Sequence, residues 1–173
     1  MSGLLQASVD GFINPLTTPA HVLTLLALAL LMARQPQRYA VLLVFALALA
    51  AGFIAIVLAV ETTPARTVLL AVAATLGAMV AAAWAPKPVA WLVAAIAGAA
   101  LALDSPPQAV TIAEAYATLG GTAVGACALL VVVTIIAGHA KADWQRLGMR
   151  ILGSWIAASA ILVLAVQLRL TGS

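Results

Sequence analysis

Between Glu114 and Lys141 the chain reads AYATLGGTAVGACALLVVVTIIAGHA (residues 115–140), 26 consecutive residues without a charge. A bilayer core about 30 Å thick needs roughly 20 apolar residues of helix. The run is apolar throughout rather than alternating, which is the pattern of a membrane helix and not of a membrane strand. Working outward, the same reading repeats. Asp10 to Arg34 encloses 23 uncharged residues, Arg38 to Glu61 22, Arg66 to Lys87 20, Lys87 to Asp104 16 and Arg150 to Arg169 18. The spacing predicts an all-α integral membrane protein, a single-domain bundle of six transmembrane helices over about 15–34, 39–60, 65–85, 88–103, 110–138 and 147–169. The fourth interval is short, but Pro86 and Pro88 can open its helix and Trp91 can anchor it at the interface.

Composition agrees. Of 173 residues, 65% are hydrophobic and 8% charged, against about 25% charged in a soluble domain. So few ionic groups cannot cover a water-facing surface, and the first partner is the lipid bilayer. The net charge of +3 comes from basic residues set between apolar blocks, and no stacking-aromatic or Gly-rich pattern points to nucleic acid. The single cysteine, Cys127, excludes an intrachain disulfide or a CxxC metal site and reads as a small packing residue. MSGLLQASVD lacks a basic region before an apolar one, so no cleavable signal peptide is expected.

The connectors carry turn chemistry: Gln35-Pro36-Gln37, Thr62-Thr63-Pro64 with a threonine as N-cap, Pro86-Lys87-Pro88, and Asp104-Ser105-Pro106-Pro107. Arg34, Arg38, Lys87, Lys141, Arg146 and Arg150 fall on one side, and Arg66 and Arg169 on the other. The positive-inside rule places the first group in the cytoplasm and both termini outside, in a multi-pass inner-membrane protein. Asp10, Glu61, Asp104 and Glu114 then share the outer side. Gly121 and Gly125 make a GxxxG pair, and Gly98 with Ala102 a second small-residue pair; these let helices approach closely where lipid offers no hydrophobic drive. Internal packing is their first use, and a homo-oligomer seam the alternative.

Chemistry concentrates in Gly11-Phe12-Ile13-Asn14-Pro15-Leu16-Thr17-Thr18-Pro19-Ala20-His21. One reading is a cap, with Thr17 or Thr18 at the N-cap and Pro19 opening the helix. The other puts His21 one turn into the membrane, where ionisable groups face the bundle and need a partner; Glu61, Asp104 and Glu114 are the candidates. Glu61 also has Arg66 nearby as an ion partner, and Glu114 suits a helix N-terminus. His21, Asn14, Glu61, Glu114 and Asp104 are therefore the candidate metal- or solute-binding set. His139 lies on the opposite side. No nucleophile context, Walker or Rossmann pattern is present, so neither an enzyme nor an ATP-driven pump is expected, and no resident cofactor; a divalent metal would be a transient substrate.

The opening stretch resembles the HupE/UreJ family, small polytopic membrane proteins regarded as nickel or cobalt permeases. Its motif reads Gly-Phe-x-His-Pro-x-x-Gly-x-Asp-His; Gly11, Phe12, Pro15 and His21 match, while Asn14, Thr18 and Ala20 stand in place of His, Gly and Asp. Val60-Glu61 stands where the family carries a Val-Glu pair. The family's second His-rich motif has no counterpart in Ala97–Ala102. The resemblance implies a six-helix fold and a secondary permease for a divalent metal or another small solute, with most metal ligands replaced. The alternative is a non-transporting structural or assembly subunit of a larger membrane complex.

Overall fold

Prolines and small polar residues set the helix boundaries. A computed structural model describes residues 2–58, 65–107, 111–140 and 142–171. Over these residues the chain forms seven α-helices and no strand: α1 (Ser2–Thr17), α2 (Pro19–Ala33), α3 (Arg38–Val57), α4 (Ala65–Ala82), α5 (Lys87–Leu103), α6 (Ile112–Gly138) and α7 (Asp143–Thr171).

The expected first helix, 15–34, is corrected to two. Thr18 takes extended backbone angles at the N-cap of α2, with Pro19 in the first turn, and the two helices meet at 71°. The threonine hydroxyl does not cap α2; it donates to Asn14 Oδ1 at 3.2 Å. Residues 2–14 carry Gln6, Asp10 and Asn14, with Gly3 and Gly11, among apolar residues, a weak helix signal by itself. They become helical because α6 covers one of their faces, tertiary packing supplying what propensity does not. The expected last helix, 147–169, begins four residues earlier. Asp143 in its first turn suits the helix dipole, and Gln145 Oε1 accepts the Ala142 N–H at 3.0 Å, which closes the first turn. The expected helix 65–85 stops at Ala82. Ala83 is left-handed, with φ 56°; its N–H donates to Val80 O and that of Trp84 to Met79 O. This is the two-bond termination of a Schellman motif, here with alanine where glycine is usual.

α2 is the axis of the bundle: ten of its 15 residues are buried, so it has almost no lipid-facing side. Its polar bonds run along its length. His21 meets Asp104 after α5. Thr24 Oγ1 donates to Ala20 O at 2.8 Å and to Leu69 O of α4 at 3.1 Å. Ala29 O accepts from Thr134 of α6. Arg34, just past the helix, donates to Val80 O of α4. Leu25, Leu28 and Leu31 pack with Leu69, Leu70, Leu76 and Leu130 into the core around it.

Three close-packed pairs surround this axis, α1 with α6, α3 with α5 and α4 with α7, and each is built on glycine. A Cβ on Gly121 would meet the carbonyl of Ser8, one on Gly125 that of Phe12, and one on Gly11 that of Thr118. Gly98 lies against the Phe45 carbonyl, and Gly52 against Ala102. Gly77 and Gly153 face each other between α4 and α7. Backbone-to-backbone approach of this kind maximises dispersion contacts, and it spends the Gly121–Gly125 and Gly98–Ala102 pairs within one chain.

α3, α4, α6 and α7 are long and apolar enough to cross a membrane, and the bent α1–α2 pair would make a fifth span; α5 is apolar but has 17 residues. The chain has the make-up of a helical membrane protein. Its two polar ends differ. One gathers Arg34, Arg146 and Arg150, with exposed Trp84, Trp91 and Trp144 of the kind that line a membrane interface. The other gathers Asp10, Asp104 and Glu114.

Candidate functional site

The site is made at the break between α1 and α2, where it meets the end of α5. Pro19 has no N–H and opens α2 from a preset φ. His21 follows in the first turn, and its side chain is 1% exposed. Asp104 is the C-cap residue of α5, and its side chain is 15% exposed. His21 Nε2 donates to Asp104 Oδ2 at 3.0 Å. Arg66 Nε lies 3.8 Å from the same oxygen but is largely exposed, so it adds little on its own. His21 Nδ1 is buried and has no hydrogen-bond partner among the described residues.

Asp104 stands at the less favourable helix end, since a carboxylate is disfavoured at a helix C-terminus by about 0.3–1 kcal/mol. A carboxylate selected only to tie α2 to α5 would be better placed at the N-terminus of α2.

Asp104 opens onto a cleft of about 670 Å³ lined also by Gln6, Asp10, Asn14, Ser105, Glu114 and Thr118. Gln6 Nε2 donates to Asp10 Oδ1 at 3.0 Å. Asn14 Nδ2 donates to Ser105 Oγ at 3.3 Å, and Ser105 Oγ donates to Leu101 O at 2.9 Å, so Asn14 straps α1 to the end of α5. Glu114 sits in the first turn of α6; its N–H donates to the Thr111 N-cap hydroxyl at 3.2 Å. A Cβ on Gly3 would stand 2.9 Å from Glu114 Oε1, so that glycine leaves room for the carboxylate.

Of the five residues expected from sequence, His21 and Asp104 are bonded to each other, while Asn14 and Glu114 line the same cleft as Asp104. Glu61 lies outside the described residues, as do the Thr62 and Thr63 caps. Arg66, read from sequence as a partner for Glu61, lies near Asp104; its pairing with Glu61 falls outside the described residues. Asp10 and Ser105 were not among the expected site residues. Asp10 would follow from Asn14 once 2–17 is read as helix, since positions four apart share a face. Among the described residues, no three His, Cys, Asp or Glu side chains gather closely enough to hold a metal ion. His139 is at the other end, its Nδ1 donating to Ile135 O at 2.6 Å. The arrangement can draw a cation by field and offer it a single carboxylate backed by an imidazole.

No family model, curated protein or solved structure matches the chain.

Proposed function

We propose that this is a permease-like, six-span protein of the cell inner membrane, resembling the HupE/UreJ family, that carries a divalent metal ion or another small cationic solute and catalyses no reaction. The bent α1–α2 pair counts as one span and α5 as another. The arginine end faces the cytoplasm, by the positive-inside rule, and the acidic cleft and both termini face outward.

The observation that carries the reading is the buried His21–Asp104 pair at a helix break, its carboxylate set against the dipole of α5 behind an acidic cleft. Discontinuous membrane helices and buried ionisable pairs are features of substrate pathways. With Asn14 bonded to Ser105, the cation is held weakly and passes partly hydrated rather than chelated. The small-residue faces that suggested an assembly subunit are taken up inside the chain, which favours the permease.

Uptake of radiolabelled nickel and cobalt by cells expressing the wild type, His21→Ala and Asp104→Asn tests it. Uptake above the vector control in the wild type, lost in both variants, is expected. Wild-type uptake equal to vector, with a stoichiometric partner recovered in mild detergent, would replace the permease with the subunit.

A further inference from the structure

The opposite end of the bundle holds a second cavity, of about 590 Å³, lined by Arg34, Arg146 and Arg150 with Ala83, Gly138 and Met149 among its walls. None of the described residues that line it is acidic. One guanidinium comes from the C-cap of α2 and two from α7, distant in sequence and brought together because α7 packs on α4 beside the end of α2. Arg34 Nη1 donates to Val80 O at 3.2 Å and Nη2 to Arg146 O at 3.3 Å. Arg150 Nε donates to Ala81 O at 2.8 Å. Carbonyls of the last turn of α4 thus hold two of the arginines in place. Both terminal nitrogens of Arg150 and the whole Arg146 side chain have no hydrogen-bond or ion-pair partner among the described residues. Asp143, one turn before Arg146, forms no ion pair among them.

Capping of α4 accounts for Arg34 and Arg150. It does not account for Arg146, nor for three like charges around one cavity. Burial first, then the neighbouring Arg150 and Arg146, push the Arg34 guanidinium below its ordinary range. Arg38 adds to the same field, since a Cβ on Gly138 would stand 3.7 Å from its Nη1. An anion bound among these guanidiniums would offset the repulsion between them. Arginine forks match the oxygens of a phosphate group two at a time, and basic pockets between membrane helices on the cytoplasmic side suit lipid head groups.

We infer that Arg34, Arg146 and Arg150 form a binding site for a phosphate-bearing anion, supplied by an anionic phospholipid head group or by free phosphate. The site is independent of the permease reading; it lies at the other end of α2 and shares no residue with the acidic cleft.

The test uses the full chain, delipidated in a neutral detergent and titrated with short-chain phosphatidylglycerol, with phosphatidylcholine of equal chain length, or with inorganic phosphate. Thermal shift and native mass spectrometry are the readouts. Phosphatidylglycerol should bind and stabilise where phosphatidylcholine does not. Arg146→Gln should weaken binding about tenfold or more, the loss of one charge-assisted contact, and Arg146→Lys should recover part of it, keeping charge but losing the fork. Stabilisation by inorganic phosphate alone would assign the site to the free anion. Equal binding of the two lipids with none of phosphate, no binding of any probe, or unchanged affinity in both Arg146→Gln and Arg150→Gln would overturn the inference. Arg150→Gln serves as the second variant if Arg146→Gln fails to fold.

Discussion

His21 Nε2 and Asp104 Oδ2 are 3.0 Å apart, joining the first turn of α2 to the last turn of α5 across 83 residues of sequence. Asp104→Ala leaves the buried imidazole without that acceptor and should cost about 1–3 kcal/mol. Asp104→Asn keeps an acceptor and should cost less. The exchanged double variant His21→Asp with Asp104→His restores a pair and puts the carboxylate at a helix N-terminus, so it should come within about 1 kcal/mol of wild type. Under the permease reading it should still fail to transport. Unfolding in mixed detergent micelles measures the first quantity and cellular uptake the second. An exchanged variant that transports normally would reduce the pair to a tie between helices.

Gly120 and Gly121 are neighbours with opposite surroundings. A Cβ on Gly121 would meet the carbonyl of Ser8 and stand 2.9 Å from Phe12 N, whereas Gly120 has no such neighbour within 4 Å. Gly121→Ala should therefore destabilise by about 1–3 kcal/mol through forced separation of α1 from α6. Gly120→Ala should be neutral or stabilising by up to about 1 kcal/mol, from the helix preference of alanine. The same unfolding assay, run on the two single variants, decides. Equal effects would mean that the α1–α6 contact is not the one described.

Charge-free intervals of membrane length made the all-helical membrane class legible, because in lipid a continuous apolar run must satisfy its backbone within one helix. Helix α1 was not legible. Gln6, Asp10, Asn14 and Pro15 interrupt its apolar pattern, and what stabilises it is the glycine face of α6, more than a hundred residues away. Sequence placed His21, Asp104 and Glu114 at one end, since connector parity alone decides that. It did not say which acid His21 would meet, because that depends on how α2 and α5 are rotated about their axes. Convergence of Arg34 on Arg146 and Arg150 was hidden for the same reason: it requires α7 to lie along α4.

Ala83 holds φ at 56° where helices usually end on glycine. A left-handed alanine costs about 1–2 kcal/mol, while glycine gives up about 0.4–1 kcal/mol through its freer unfolded chain. Ala83→Gly should stabilise by roughly 0.5–1 kcal/mol, and Ala83→Val should destabilise, because a β-branched side chain fits the left-handed region worse. The two variants must move the thermal midpoint in opposite directions. Movement in the same direction would show that α4 does not end in the left-handed turn.

Asp10 and Glu114 line the acidic cleft without touching His21–Asp104 through any bond among the described residues. Under the permease proposal, their part is to raise the local concentration of cation, an effect of field rather than of ligation. Asp10→Asn and Glu114→Gln should each raise the half-saturating cation concentration several-fold at low salt, with the maximal rate unchanged. Raising ionic strength to about 0.15 M shortens the Debye length to about 8 Å and should bring both variants close to wild type. His21→Ala, by contrast, should lower the maximal rate at every salt concentration, since a buried group is screened little. Uptake kinetics at two ionic strengths separate these outcomes. If the cleft variants lose maximal rate and salt does not restore them, the carboxylates bind the solute directly and the cleft is itself the site.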